Sequence, residues 1–173
     1  MIRVGSLCSG IGAIDLGLER AGGYTITYQV EINPYCRRIL AKHWPDVPKY
    51  EDLTQIQPGK LPQVDLITAG FPCQPHSVAG KQKGTSDERW IWPDIWRIVR
   101  YVGCAVLLEN VPNLLRVNNG RAFGEILSDM AADGYDATWD VLPASHTGAP
   151  HHRERLWLVA YPNSQRLERR RLL

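Results

Sequence analysis

The residues with the most pointed chemistry lie in Phe71-Pro72-Cys73-Gln74-Pro75, where a cysteine stands between two prolines directly after an apolar run. Proline fixes φ, so the thiol sits on a stiff loop, and stiffness suits a nucleophile that must meet its target at a set angle. Most lone cysteines are small buried hydrophobes, and Cys8, Cys36 and Cys104 read that way. The loop context reverses that expectation for Cys73. Glu109 follows five apolar residues, Cys104 to Leu108, and precedes Asn110-Val111. Burial at the mouth of such a strand favours a proton donor over a plain charge. The bland alternative is a structural carboxylate paired with Arg153 or Arg155. His151-His152-Arg153-Glu154-Arg155 concentrates positive charge just ahead of an apolar run. Alternation along a strand would put Arg153 and Arg155 on one face. The two histidines lack a third ligand, so no metal site is expected.

These groups need a scaffold, and the surrounding pattern describes one. Short apolar runs alternate with helical periods, the signature of a mostly parallel sheet covered by helices. Strands are expected at Ile2 to Leu7, Tyr24 to Val30, Val64 to Ala69, Cys104 to Leu108, Tyr135 to Leu142 and Leu156 to Tyr161. Helices are expected after Gly12 up to Gly22-Gly23, from Asn33-Pro34 to about Trp44, over Pro93 to Val102, and over Phe123 to Ala132. Ligands in such sheets lie outside the carboxyl ends of the strands. The unusual residues fall there: Gly10 and Gly12 after the first strand, Glu31 after the second, then Cys73 and Glu109. Gly10 and Gly12 allow a sharp turn and a close approach of backbone to ligand, although the GxGxxD pattern is weak alone. Glu31 stands where an acidic group can bind ribose hydroxyls.

The totals are compatible with this scheme. The chain has 173 residues, enough for a sizeable core, and a net charge of only +2. Four cysteines without a CxxC pair suggest neither a zinc site nor a disulfide framework. No signal peptide and no membrane span is recognisable, and a cytoplasmic protein is the expectation.

Together these segments resemble the C5 cytosine DNA methyltransferases. LCSGIGAIDLGLERAG (Leu7 to Gly22) resembles the motif that binds S-adenosylmethionine, and GFPCQPHSVAGKQKG (Gly70 to Gly84) the motif with the catalytic cysteine. LLENVPNLL (Leu107 to Leu115) is similar to the glutamate motif, and GAPHHRERLWLVA (Gly148 to Ala160) to the paired-arginine motif. Any one match is weak, but four in order are specific. The resemblance implies a Rossmann-like S-adenosylmethionine-dependent methyltransferase fold with helices on both faces of the sheet. It implies methyl transfer to cytosine C5 in duplex DNA, through a Cys73 adduct at C6 of a flipped-out base. Glu109, Arg153 and Arg155 would be catalytic, and Gln74, Ser77 and Asn110 would meet the substrate. The cofactor would be held by Cys8, Ser9, Gly10, Gly12, Glu31, Asp52 and Pro72. Restriction-modification is the biological setting it suggests.

Two departures shape the remaining expectations. Cys8 stands where the family usually has phenylalanine against the adenine, and His151 where it has glutamine. The resemblance covers a catalytic and cofactor-binding domain at 1–162, leaving 163–173 as a basic tail that resembles the start of a further region. On that reading the target-recognition region and the last sheet elements are missing. The alternatives are a split enzyme whose partner chain supplies them, an inactive truncated product, or a binder of S-adenosylmethionine or DNA without turnover. An RNA cytosine-C5 methyltransferase is a lesser alternative.

Overall fold

The computed structural model describes residues 1–72 and 90–163. Its strands are β1 (Ile2–Leu7), β2 (Tyr24–Val30), β3 (Lys49–Tyr50), β4 (Leu66–Gly70), β5 (Ala105–Asn110), β6 (Tyr135–Pro143) and β7 (Glu154–Pro162). Its α-helices are α1 (Ala13–Ala21), α2 (Pro34–His43), α3 (Trp92–Val102) and α4 (Arg121–Ala132). Seven strands form one sheet in the order β3-β2-β1-β4-β5-β7-β6. β1 runs parallel to β2 and β4, and β2 to β3, whereas β6 and β7 are antiparallel. The α/β class read from the sequence therefore holds. Two compact units divide the chain: Met1–Gly70 with Asp94–Val106, and Phe71–Pro93 with Leu107–Leu173.

In the first unit the inner strands are buried residue after residue: Val4 to Leu7 in β1, Tyr28 to Val30 in β2, Ile67 to Ala69 in β4. Consecutive burial means that both faces are covered. Tyr28 lies in register with Gly5, and its ring crosses that residue so closely that a Cβ there would lie 2.3 Å from it. Helix α2 begins as the sequence suggests. Asn33 Oδ1 accepts from the backbone N–H of Tyr35 at 2.9 Å, and Pro34 takes the first helical position. Past its far end, Lys49 Nζ donates to the carbonyls of Trp44 and Val47 and so closes the loop that leads to β3. The two-residue β3 was not expected, because it is too short to show a period.

In the second unit burial alternates. Leu156, Leu158 and Ala160 of β7 are buried, while the alternating Arg155, Trp157 and Val159 are not. Helix α4 buries Ala122, Phe123, Ile126 and Met130, a spacing of three and four residues that defines one face. Phe123 meets Trp139 of β6 edge to face, with centroids 5.2 Å apart. Two further tryptophans use their ring N–H groups as anchors on α4, Trp90 to Glu125 at 3.0 Å and Trp92 to Asp129 at 2.8 Å. Phe71 packs against both rings, with centroids at 6.3 and 6.4 Å. Among the described residues, no helix is long and apolar enough to cross a membrane.

Candidate active site

The first unit gathers its candidates at the tips of β1 and β2. The chain leaves β1 through Cys8, Ser9 and Gly10, and both Cys8 (φ 51°) and Gly10 (φ 55°) are left-handed. The Gly10 N–H donates to Glu31 Oε2 at 2.7 Å, and Glu31 Oε1 accepts from the Asn33 N–H at 2.8 Å. One carboxylate thus ties the β1 loop to the loop that opens α2. Ser9 turns inward, its hydroxyl donating to the carbonyls of Ser6 at 3.1 Å and Val30 at 3.3 Å. Burial, with the charge of Glu31 adding to it, pushes the Cys8 thiol up to about 12, which leaves it a neutral side chain.

The two glycines differ in kind. A Cβ at Gly10 would meet nothing within 4 Å, so its backbone is open to a ligand. At Gly12 (φ 85°) a Cβ would lie 2.5 Å from the Trp44 ring and 3.0 Å from Leu40. The close approach that the sequence suggested for Gly12 is made by α2. Trp44 is held there by its ring N–H, which donates to the Glu19 carboxylate at 3.0 Å. Asp52 opens a single 3-10 turn, Leu53–Gln55. Its Oδ1 accepts from the Thr54 N–H at 2.9 Å and the Thr54 hydroxyl at 2.8 Å. It also lines a concavity with Tyr50, Gln55, Ile56, Lys60 and Leu61.

The second unit brings together Glu109 and Arg155. Arg155 Nε lies 2.8 Å from Glu109 Oε1, with the two side chains 26% and 24% exposed. Strand β5 runs on to Asn110, so Glu109 lies within it, and its carboxylate is charge-paired and only partly buried. That corrects the expectation of a buried carboxyl beyond the strand end. Arg153 does not share the face of Arg155. It precedes β7, is exposed, and has φ 30°, so the strand alternation does not reach it. Asn110 is 4% exposed, and both ends of its amide are engaged within the protein. Nδ2 donates to the Phe71 carbonyl at 3.0 Å, and Oδ1 accepts from the Val111 N–H at 2.8 Å. It therefore fixes the backbone just ahead of the exposed Pro72. Cys73, Gln74 and Ser77 lie outside the described residues. No group of three metal-ligating side chains occurs among the described residues.

The C-5 cytosine-specific DNA methylase model matches residues 2–172. The chain belongs to that family. Among curated members of the C-5 cytosine-specific DNA methylases, the Type II methyltransferase M2.BsuMI of Bacillus subtilis is 34% identical over 165 residues, 92% of this chain and 42% of its own length. M.NlaX of Neisseria lactamica is 36% identical over 166 residues, covering 94% of this chain and 53% of that protein. This methylase chain therefore spans about half the length of the curated relatives it matches. The solved Dnmt2 methyltransferase of S. pombe superposes with a TM-score of 0.78 at 24% identity, over 94% of this chain and 51% of that one. The Entamoeba histolytica methyltransferase EhMeth gives 0.79 at 21% identity, over 93% and 53%. These two show a shared fold.

Sequence reasoning missed that Trp44 packs on Gly12, and that the buried Asp15 meets Gln29 at 2.8 Å. The first contact joins the residue before α1 to the residue after α2, with no shared motif. The second had one signal, a polar residue inside each of two apolar patterns, at Asp15 and Gln29.

Proposed function

We propose that this protein transfers the methyl group of S-adenosylmethionine to C5 of cytosine in DNA. The observation that carries the reading is the Glu109–Arg155 pair at 2.8 Å in a chain of this family, with Asn110 fixing the Phe71 carbonyl two residues before Cys73. Cytosine C5 is too weak a nucleophile to take a methyl group unaided. The Cys73 thiolate adds to C6, and negative charge develops in the ring. Glu109 hydrogen-bonds N3 and supplies its proton, so the charge is met where it forms. Arg155 holds the Glu109 carboxyl in that direction and faces the base oxygen, while the exposed Arg153 adds positive charge nearby. Asn110, with its amide committed internally, acts as a positioning residue for the cysteine loop, and Gln74 and Ser77 are candidates to contact the flipped base. C5 bonds the methyl carbon as the sulfur–carbon bond of the donor breaks. Loss of the C5 proton to water and of the C6–sulfur bond, with the N3 proton returning to Glu109, then restores the aromatic ring and the thiolate.

The residues of the first unit suit the donor. Bound there, S-adenosylmethionine would supply an electrophilic methyl group. Gly10 offers an open backbone approach and Glu31 an acidic group for the ribose. Asp52 borders a concavity that can take the base, Ser9 and Gly12 hold the turn after β1 in shape, and Cys8 and Pro72 are further candidates to meet the cofactor. Duplex DNA containing 5-fluorocytosine tests the reading. Fluorine cannot leave C5 as a proton does, so the adduct accumulates. A complex that survives denaturation, requires S-adenosylmethionine and maps to Cys73 is the expected result, and its absence would count against the assignment.

A further inference from the structure

Beneath the Gly10–Glu31 contact, the same strands bury a row of polar side chains. Gln29 of β2, Ser6 of β1 and Thr68 of β4 stand side by side in register, and each is at most 2% exposed. Partners in register point to the same face of a sheet. Gln29 Nε2 donates from that row to Oδ2 of Asp15, in the first turn of α1, at 2.8 Å. Asp15 is fully buried, and among the described residues it forms no ion pair. Among the described residues, Asp15 Oδ1 and Gln29 Oε1 each lack a hydrogen-bond partner, as does Thr68 Oγ1. An ionised carboxylate only accepts, so it leaves the Gln29 oxygen without a donor, whereas a protonated one carries the missing O–H.

We propose that Asp15 is held as an uncharged acid whose proton serves Gln29 Oε1, and that this two-bond acid–amide pair is a positioning device for the cofactor rim. It joins α1 to β2, two residues before Glu31, while the Gly10–Glu31 bond joins the loops that follow β1 and β2. The groups acting on Asp15 come from each neighbouring element. Burial raises its pKa and is the largest influence; the Gln29 amide and the Ser6 hydroxyl lower it, and Glu19, one turn along α1, raises it. The amino end of α1 favours the charged form, and Thr68 brings no charge.

A carboxyl raised in the folded state contributes stability below its unfolded pKa and loses it as pH rises through the folded one. Folding then takes up about one proton per molecule within that window. Site-resolved carboxyl 13C NMR of the whole chain needs no variant. Asp15 is expected to keep the shift of an acid at neutral pH, when other carboxyls have titrated. Asp15→Asn preserves both hydrogen bonds, so it should abolish the proton uptake, raise stability at neutral pH and bind S-adenosylmethionine as the wild type does in calorimetry. Asp15→Ala removes the pair and should weaken that binding. A carboxylate shift for Asp15 at neutral pH, or a pH profile of stability unchanged in Asp15→Asn, overturns the proposal. The rim's role in holding cofactor rests on the proposed function, and no binding by any of the three proteins overturns both that function and the positioning role. The carbon titration decides the proton independently.

Discussion

At the scale of single residues, the charge pair of Glu109 and Arg155 is where the proposed function places the chemistry. Glu109→Gln keeps the shape of the side chain but loses the acid and leaves Arg155 without its counter-charge. Methyl transfer should fall by about 10²–10⁴, the usual worth of a general acid, while calorimetric affinity for S-adenosylmethionine stays unchanged. Single-turnover rates measure this, and wild-type turnover in the variant would remove Glu109 from the mechanism. Glu109 itself was legible, because a lone carboxylate after five apolar residues is conspicuous. Its pairing with Arg155 rather than Arg153 was not, since that choice depends on a left-handed φ of 30° at Arg153, a conformation with no mark in the sequence.

At the scale of elements, the two glycines after β1 should separate cleanly. Gly12→Ala forces a Cβ into the Trp44 ring and should destabilise the protein with a lowered denaturation midpoint. Gly10→Ala meets no neighbour, so it should cost only the roughly 1–2 kcal/mol of a left-handed alanine, and its main effect should be weakened cofactor binding. Equal losses of stability would contradict this division. Asn110→Ala at the end of β5 leaves the Phe71 carbonyl without its donor. The expected loss is about 1–3 kcal/mol in chemical denaturation, the cost of a buried polar group left unpaired. Most elements were readable: β1 and β2 have the expected ends, because a turn glycine or an apolar boundary marks each. β4 and β5 each continue past the expected end. Their last residues are polar or small and belong to the sheet only through backbone pairing, which side-chain patterns do not record.

At the scale of the whole chain, the sequence carried family and fold through four ordered segments, but not the internal polar supports. Arg3 and Asp65, 62 residues apart, form a two-pronged ion pair at 2.9 and 3.0 Å that no motif announces. Bonds from Arg3 hold the Asp65 carboxyl down to about 2. A depressed carboxyl contributes stability above its unfolded pKa and loses it as pH falls through the folded value. Asp65→Asn should therefore flatten the loss of stability between about pH 4 and 2. The effect should be small and weakened by salt, because both side chains are about half exposed. Thermal denaturation across that range measures it, and an undiminished acid slope in the variant would place the sensitivity elsewhere.

The proposed function turns on methyl transfer to cytosine through Cys73. Its most direct test is incorporation of labelled methyl from S-adenosylmethionine into mixed-sequence duplex DNA, with Cys73→Ala as the control. Label recovered as 5-methylcytosine from the wild type and absent from the variant is the predicted result. Equal label with both proteins, or none with either, would overturn the proposed function.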